Sequence, residues 1–302
     1  MKRAGILLFA AVPVVVTAVV FAVVPGGPGP GGPARPASAA AVQSRRGTEA
    51  RAASERAADD TAIAAAPPGL AAPPEKELAQ EIVASAENST LDWRSAYGYI
   101  EDIGDGQGYT AGVIGFCTGT HDLLTLVERY TEAHPDNGLA VYLPALRNVD
   151  GTDSHRGLDP GFPRAWKAEA RLPAFRAAQD AERDRVYFDP AVRRAKLDGL
   201  GPLGQLIYYD AMVFHGPGTG PNGFYGLRES AMEKAAAPAQ GGSEKTYLDV
   251  FLDVRRAAMK AKRPGIDTSR IDTAQRRFLD DGNLDLRTPL VWQVYGETYK
   301  VP

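Results

Sequence analysis

The sequence of 302 residues has almost none of the residues that cross-link small domains or hold zinc. Its single cysteine, Cys117, excludes an intramolecular disulfide and a cysteine-rich zinc site, so stability must come from a hydrophobic core. An excess of positive charge is also absent, because 34 Lys and Arg face 37 Asp and Glu for a net charge of -3. This charge does not suit a nucleic-acid binder. With 44% hydrophobic and 24% charged residues, the composition excludes a wholly disordered chain and a collagen-like fibre.

The N-terminus carries signals for export. Two basic residues precede an uncharged apolar run at 6–24, and Ala37–Ala39 has the small-residue spacing that signal peptidase recognises. The run is longer than a usual signal segment and close to the roughly 20 residues that span a bilayer. Because Pro13 interrupts the run and a cleavage site follows, we predict a signal peptide at 1–39 and a secreted, extracellular protein that leaves the membrane after cleavage. An uncleaved anchor is the alternative.

Residues 26–74 contain no aromatic side chain and are rich in Ala, Pro and Gly. A segment of this composition cannot bury enough apolar surface to offset the cost of ordering it. We therefore predict a disordered linker at 40–74 and a folded domain at 75–302. After Leu78 the chain has 26 basic and 31 acidic residues, a net charge of -5. A cleft in this acidic part would attract a cationic ligand.

The folded part is predicted to be mainly α-helical, of the α+β class. Two prolines at 73–74 followed by acidic residues indicate a helix start, and this helix is expected to run to about Asn88. Aromatic and β-branched residues predict a strand at 97–103, and five glycines in 104–115 predict a hairpin or loop in close contact with neighbouring chain. Further helices are predicted at 122–131, 165–187, 190–197, 203–214, 227–236, 246–261 and 273–279. This order suggests two lobes around a cleft.

Two carboxylates in this part are candidate catalytic groups. Glu87 falls on the apolar stripe of the first helix, one turn after Val83, and burial there would raise its pKa as a general acid requires. Asp105 lies in the glycine-rich loop, where backbone N–H groups favour the ionised form of a base. Glycosidases divide the work between two carboxyls in this way. The alternatives are structural: a helix-end residue bonded to backbone or arginine for Glu87, and a turn residue for Asp105.

Six strings, in sequence order, carry a resemblance to a known family. They are SAENSTLDW from Ser85, YIEDIGDGQGYTAG from Tyr99, GFCTGT from Gly115, ERDRVYFDPAV from Glu182, YYDAMVFHGPG from Tyr208 and GNLDL from Gly282. From about residue 78 to the C-terminus the chain resembles glycoside hydrolase family 46, the bacterial endo-chitosanases. The resemblance implies a two-lobed, mainly α-helical, lysozyme-like fold with a small β element and a substrate cleft. It also implies internal hydrolysis of β-1,4 bonds between the glucosamine units of chitosan, with inversion at the anomeric carbon.

The resemblance also implies roles for individual residues. Glu87 corresponds to the general acid, Asp105 to the general base, and Thr110 to the hydroxyl that helps to position the attacking water. Substrate contacts are implied for Ser89, Tyr99, Gln107, Gly115, Asp122 and His215. A supporting ionic network behind the acid is implied for Asp210, Arg255 and Arg270.

Simpler interpretations remain open for several of these residues. Asp210 inside a nearly apolar helix and Arg255 on an apolar stripe also fit a structural ion pair. Asp122 in a first helical turn complements the helix dipole, and His215 fits a structural loop residue. Gln107 stands where the family usually has Arg or Asp. It keeps hydrogen-bonding capacity without the charge of Arg, so we expect affinity and pH profile to change more than the reaction.

The other signals in the sequence are weak. The glycines of GDGQGYTAG lack the Lys and Ser or Thr of a P-loop, and 102–105 does not fit an EF-hand, so we expect no cofactor and no metal. Core positions are expected for Cys117, Trp93, Trp166 and Trp292. The expected partner is chitosan, without nucleic acid, and the chain length permits a monomer. The alternative functions are a lysozyme or chitinase that acts on N-acetylated glycans, and a non-catalytic chitosan-binding protein.

Overall fold

The computed structural model describes residues 53–302, which fall into two units, 53–67 and 68–302. In the first unit residues 53–65 form helix α1, within the segment predicted to be a disordered linker. Alanine is the strongest helix former, and the alanines of this segment alternate with charged residues, which explains the helix. The predicted signal peptide at 1–39 lies outside the described residues. Within 53–302, no helix is both long and apolar enough to cross a membrane.

The second unit begins earlier than the boundary predicted at residue 75. A short 3₁₀ helix spans Gly69–Ala71, and Leu70 is fully buried. The backbone N–H of Leu70 donates to Gln205 Oε1 at 2.8 Å. Gly69 has φ +56°, and a Cβ there would lie 2.5 Å from the same amide oxygen. The buried Leu70 side chain and its paired N–H attach this segment to the folded unit. The average composition of 26–74 gives no indication of these two contacts.

Helices form most of the unit 68–302, which confirms the predicted mainly α-helical class. They are α2 (Pro73–Glu87), α3 (Asp122–Ala133), α4 (Leu143–Val149), α5 (Phe162–Glu169), α6 (Pro173–Arg183), α7 (Asp189–Leu197), α8 (Pro202–His215), α9 (Phe224–Met232), α10 (Glu244–Lys262) and α11 (Arg276–Asp280). A π-helical turn at Asp184–Phe188 joins α6 to α7, and another at Arg270–Gln275 leads into α11. The two-lobed arrangement stays a prediction.

The predicted helix at 165–187 is interrupted. α5 ends at Glu169, and Leu172 has an extended backbone with ψ 131° before α6 begins at Pro173. The residue before a proline is driven out of the helical region by the proline ring, which explains the break. α4 has no counterpart among the predicted helices.

The central element of the core is α8, which packs against α2, α7, α9 and α10. Nearly all of its residues are buried, as expected of a helix that is apolar on every side. Asp210 is the one carboxylate on this helix, so the fold places a charge inside the core. Trp166 and Trp292 are fully buried and Trp93 nearly so, which confirms the prediction for all three.

The predicted β element is a three-stranded antiparallel sheet. It contains β1 (Ile100–Asp102), β2 (Tyr109–Ala111) and β3 (Phe116–Cys117) in that order. In its register Thr110 pairs with Glu101 on one side and with Cys117 on the other. The first strand is shorter than predicted, because Trp93–Gly98 forms a 3₁₀ helix.

A C-terminal hairpin of β4 (Leu290–Val294) and β5 (Glu297–Val301) was not predicted. Its two-residue turn has φ +52° at Tyr295 and +81° at Gly296, as in the type I′ turns that suit the twist of paired strands. Trp292 of β4 donates from Nε1 to Ser85 Oγ at 2.9 Å. The hairpin thereby supports the C-terminal half of α2.

Candidate active site

Glu87 is the last residue of α2 and is 5% exposed. The three residues before it are Ala84, Ser85 and Ala86, whose small side chains let neighbouring elements approach this end of the helix. Tyr209 of α8 donates to Gln80 Oε1 at 2.9 Å, and Trp292 bonds to Ser85. These contacts fix the helix end that presents Glu87.

The predicted ionic network surrounds this carboxyl. Arg270 Nη2 donates to Glu87 Oε1 at 2.5 Å and to Asp210 Oδ1 at 2.7 Å. The other oxygen of Asp210 accepts hydrogen bonds from Arg255 at 2.8 Å and from Gln275 at 2.6 Å. Every member of the cluster is buried. Gln275 was not predicted, since an amide on a helix gives no distinctive sequence signal.

The pKa values of the two buried carboxyls in this cluster are shifted in opposite directions. Burial raises the pKa of Glu87, although the charge and hydrogen bond of Arg270 oppose the shift. Burial acts on Asp210 as well, but Arg270 and Arg255 outweigh it and hold the pKa of Asp210 well below its usual range. Arginine only donates, so Glu87 Oε1 is an acceptor and a proton on this carboxyl belongs on Oε2. The cluster therefore lowers the pKa of Asp210, while burial raises that of Glu87.

His215, for which a substrate contact is predicted, lies inside the protein. The residue is 4% exposed, and its Nδ1 is 3.1 Å from the carbonyl oxygen of Asn222. Burial, followed by the charges of Arg255 and Arg270, lowers the pKa of His215 well below its usual range. A neutral ring that donates from Nδ1–H to Asn222 fits this environment, so the structure favours the structural interpretation.

Asp105 lies in the loop between β1 and β2, and its carboxylate is held by Gln107. The backbone N–H of Gln107 donates to Asp105 Oδ1 at 3.1 Å, and Gln107 Nε2 donates to Asp105 Oδ2 at 3.4 Å. The carbonyl oxygen of Gln107 in turn accepts from Thr118 Oγ1 at 3.1 Å and from Gly119 N at 2.9 Å. The loop is therefore anchored to the segment after β3.

Close packing requires glycine at Gly108, at the end of this loop, and at Gly119, after β3. Gly108 has φ +68°, and a Cβ there would lie 2.2 Å from Thr118 Oγ1. A Cβ on Gly119 would lie 2.9 Å from Gln107 Cα. Any side chain at these two positions would push the segment of Gln107, and with it Asp105, out of place.

Two opposing effects act on the pKa of Asp105. The residue is exposed as a whole, yet desolvation of its carboxyl raises the pKa, and the nearby charge of Asp102 adds to the shift. The backbone bond from Gln107 and the charge of Lys262 in α10 oppose it without reversing it. The N–H donors near Asp105 are visible in the sequence, but the desolvation of its carboxyl is not.

Thr110 and Asp122 belong to a second buried cluster. Thr110 is fully buried with its Oγ1 3.3 Å from the Sγ of Cys117, which is a buried free thiol as predicted. Asp122 Oδ1 accepts from Cys117 N at 2.9 Å, Thr120 Oγ1 at 2.7 Å and Leu123 N at 2.9 Å. Its Oδ2 accepts from Tyr187 at 2.9 Å. These bonds favour an anchoring role for Asp122 beyond the helix-dipole effect, and they add Tyr187 as a partner that was not predicted.

The remaining predicted substrate contacts lie on both sides of these clusters. Ser89 is exposed with φ +50°, two residues after Glu87. Tyr99 precedes β1 and its hydroxyl donates to Glu101 Oε2 at 3.4 Å. Gly115 has φ +72°, and its carbonyl oxygen accepts from Cys117 Sγ at 3.2 Å. Among residues 53–302, no group of three or more His, Cys, Asp and Glu side chains is arranged to hold a metal ion.

Known proteins are similar to this chain in sequence and in fold. Residues 81–290 match the family model described as Glycosyl hydrolase family 46. A chitosanase of Streptomyces sp. (strain N174) is 58% identical over 233 residues, which are 77% of this chain and 84% of that protein. The co-crystal structure of chitosanase OU01 with substrate is 53% identical with a TM-score of 0.76, over 78% of this chain and 99% of that one. A Gynuella sunshinyii chitosanase in complex with chitotetraose is 33% identical with a TM-score of 0.70, over 75% and 97% of the two chains. The chain therefore belongs to glycosyl hydrolase family 46.

Proposed function

We propose that this glycoside hydrolase is an endo-chitosanase that cleaves β-1,4 bonds between glucosamine units with inversion of the anomeric carbon. The observation that carries the proposal is the buried Glu87 carboxyl, which Arg270 holds at a single oxygen. A carboxylic acid with a raised pKa and one oxygen left for its proton is what protonation of a glycosidic oxygen requires. The family membership and the chitosanase relatives support the same reaction.

Asp105 is proposed as the general base. Both oxygens of Asp105 accept hydrogen bonds from N–H groups of Gln107, and these two bonds fix the direction of the carboxylate. In an inverting enzyme the base accepts a proton from a water on the far face of the sugar ring. We expect the carboxyls of Glu87 and Asp105 to be about 6.5 to 9.5 Å apart in the substrate complex, which leaves room for this water. Thr110 is proposed to help position the water.

The proposed substrate is cationic, since the amino groups of glucosamine carry positive charge. The net charge of -5 after Leu78 suits such a polymer. Carboxylates near the base include Asp102 and Glu101, both exposed. The structures of relatives that contain substrate or chitotetraose are consistent with the same class of ligand here.

We further propose that the protein is exported by the segment 1–39 and acts outside the cell as a monomer. Cleavage of a polymeric substrate outside the cell requires no cofactor in this mechanism. Mass determination of the mature N-terminus, and light scattering of the purified protein, test these two points separately.

The decisive experiment follows the cleavage of a glucosamine hexamer by mass spectrometry and, from the first minutes, by ¹H NMR of the anomeric protons. We expect internal cleavage products whose new reducing ends are α-anomers. Release of β-anomers would contradict the inverting mechanism, and release of only terminal units would contradict the endo mode. Activity on chitin or peptidoglycan in place of the hexamer would favour the lysozyme or chitinase alternative. Binding without cleavage would favour the non-catalytic one.

A further inference from the structure

One side of α5 presents a row of positive charges to solvent. On the opposite side Trp166 is fully buried, and its Nε1 donates to the carbonyl oxygen of Tyr97 at 3.0 Å. Because a helix turns once every 3.6 residues, positions 164, 167 and 171 share one side. The exposed residues at these positions form what we call the basic row: Arg164, Lys167 and Arg171. α5 ends two residues before Arg171, and the residue between them keeps a right-handed helical backbone.

Neighbouring acidic groups do not neutralise the basic row. Among residues 53–302, none of its three members forms an ion pair with a carboxylate. Glu169, the one acidic residue in the segment 162–179, is buried, and its Oε1 accepts from Gly138 N at 2.7 Å. Arg176 adds a fourth positive charge close by, since its Nε donates to the carbonyl oxygen of Ala170 at 2.7 Å. This side of α5 is therefore positive, although the chain after residue 78 is negative as a whole.

The stability of α5 does not explain the position of these charges. Arg164 lies in the first turn, where the helix dipole favours an acidic residue. Lys167 in the last turn suits the dipole, but it lies one turn after Arg164 and the two like charges repel each other. Local stability therefore gives no reason for the basic row.

Two exposed apolar side chains lie beside the basic row. Among residues 53–302, the large hydrophobic side chains that are exposed are Val141 at 75% and Leu172 at 47%. Leu172 directly follows Arg171 in the chain. The segment of Val141 packs along α5, since the ring centroids of Tyr142 and Phe162 are 5.4 Å apart. Exposed hydrophobic residues are ordinary when they stand alone, but these two border a row of cations and form an amphipathic surface with it.

We propose that this amphipathic surface docks on a lipid bilayer whose headgroups carry negative charge. Guanidinium and ammonium groups bind the lipid phosphates, and each basic residue beside such a surface strengthens binding by about fivefold. Leu172 and Val141 reach the boundary between headgroups and acyl chains, as apolar side chains do in proteins that lie on a membrane. A soluble polyanion would satisfy the charges but offers no apolar layer for these two side chains.

Docking of this kind would bring the enzyme to a place where its proposed substrate collects. A cationic polymer is attracted to an anionic membrane, whereas a protein of net negative charge is repelled from it. The basic row offsets this repulsion on one side of the protein. Three charges and two apolar side chains give a reversible contact, so the proposal is compatible with secretion after cleavage of the segment 1–39.

The test places a fluorescent label on this surface in the full chain. Cys117 is buried and is the only cysteine in the sequence, so an environment-sensitive maleimide dye reacts with an introduced, exposed cysteine. Ala168→Cys places the dye at an exposed position between Lys167 and Arg171. Ala257→Cys places it at an exposed position of α10 and is the matched control. The N-terminal run at 6–24 is the same in both proteins.

We expect vesicles that contain phosphatidylglycerol to shift the emission of the labelled Ala168→Cys protein to shorter wavelength. Pure phosphatidylcholine vesicles should leave the emission unchanged. At about 1 M salt, where charges are screened beyond about 3 Å, the shift should be lost. The labelled Ala257→Cys protein should show no shift with either kind of vesicle.

Variants of the labelled Ala168→Cys protein separate the basic row from net charge. Replacing all three residues of the row by glutamine should weaken binding to the vesicles by about 10²-fold. The matched control replaces three exposed lysines elsewhere by glutamine and should bind as the unchanged row does: Lys234, Lys245 and Lys300. Leu172→Ser should weaken binding several-fold and reduce the emission shift, since one of the two apolar contacts is lost.

Four results would overturn the proposal. The first is an equal emission shift in the Ala257→Cys protein, and the second is an equal shift with pure phosphatidylcholine. The third is equal binding by the glutamine variants of the basic row and of the three control lysines. The fourth is an equal shift with inorganic polyphosphate, which would assign the row to a soluble polyanion. No substrate is present in these experiments, so they decide the docking surface even if the proposed chitosanase activity fails.

Discussion

The surroundings of Glu87 and those of Asp105 are assembled from very different distances along the sequence. Arg270, which holds Glu87, is 183 residues away from it, and Asp210 enters from the central helix of the core. Gln107, which holds Asp105, is two residues away. The acid therefore depends on the completed core, whereas the hydrogen bonds to the base come from its own loop. Substitutions should separate these two kinds of dependence.

The largest effects are expected from Glu87→Gln and Asp105→Asn. Each should lower kcat by about 10² to 10⁴, the usual contribution of a general acid or base, with little loss of binding. Steady-state hydrolysis and equilibrium binding of the glucosamine hexamer measure the two quantities. Glu81→Gln, a half-buried carboxyl on the same helix, is the control and should keep wild-type kcat. Wild-type activity in either Glu87→Gln or Asp105→Asn would refute the assignment of that residue.

The second prediction concerns the support of the acid. Asp210→Asn leaves the buried guanidinium groups of Arg255 and Arg270 with one carboxyl fewer, and should lower the free energy of unfolding by about 3 to 5 kcal/mol. Urea denaturation measures this change. Asp272→Asn removes the partially exposed partner of Arg256 and should cost at most about 1 kcal/mol. Equal losses in the two variants would show that the buried cluster does not stabilise the core.

The third prediction tests whether burial or Arg270 has the larger effect on the pKa of Glu87. Because burial raises its folded-state pKa, the stability linked to this group is full at low pH and is lost as the pH rises through the folded-state pKa. Glu87→Gln cannot lose a proton and should gain stability relative to the wild type between pH 4 and pH 8. Urea denaturation at several pH values gives the difference. The opposite slope would mean that Arg270, and not burial, dominates.

The smallest effects are expected at Gln107. Gln107→Ala removes the side-chain donor to Asp105 and should lower kcat a few-fold with KM kept, since the backbone N–H still holds the other oxygen. Gln107→Arg places a positive charge beside the base and should shift the acidic limb of the pH–rate profile to lower pH. An unchanged limb in the arginine variant would show that the side chain at 107 does not reach the carboxylate.

The same contrast explains how much of the molecule could be predicted from sequence. Glu87 on an apolar stripe and Asp105 among glycines are local signals, so the sequence alone marks both residues as candidates. The resemblance supplied Asp210, Arg255 and Arg270 as a group, and the structure places them together with Glu87.

The failures also have physical reasons. Gln275 bonds to Asp210 in the first cluster, and Tyr187 bonds to Asp122 in the second. Both are tertiary contacts that leave no periodic signal in the sequence. The burial of His215 in the last turn of α8 also depends on tertiary packing, and its contact with substrate stays a prediction. Desolvation raises the pKa of Asp105, and the N–H groups near it in the sequence give no information about this effect.

The bond between Trp292 and Ser85 has a consequence for the order in which the chain matures. The two residues are 207 positions apart, and Arg270 lies 183 positions after Glu87. A nascent chain contains α2 early but cannot surround Glu87 until Arg270 and Trp292 have been synthesised. Contacts of such long sequence separation form late and slowly. The loop of Asp105 can form first. A partly synthesised chain would then contain this loop in its final shape while Glu87 still lacks its buried surroundings.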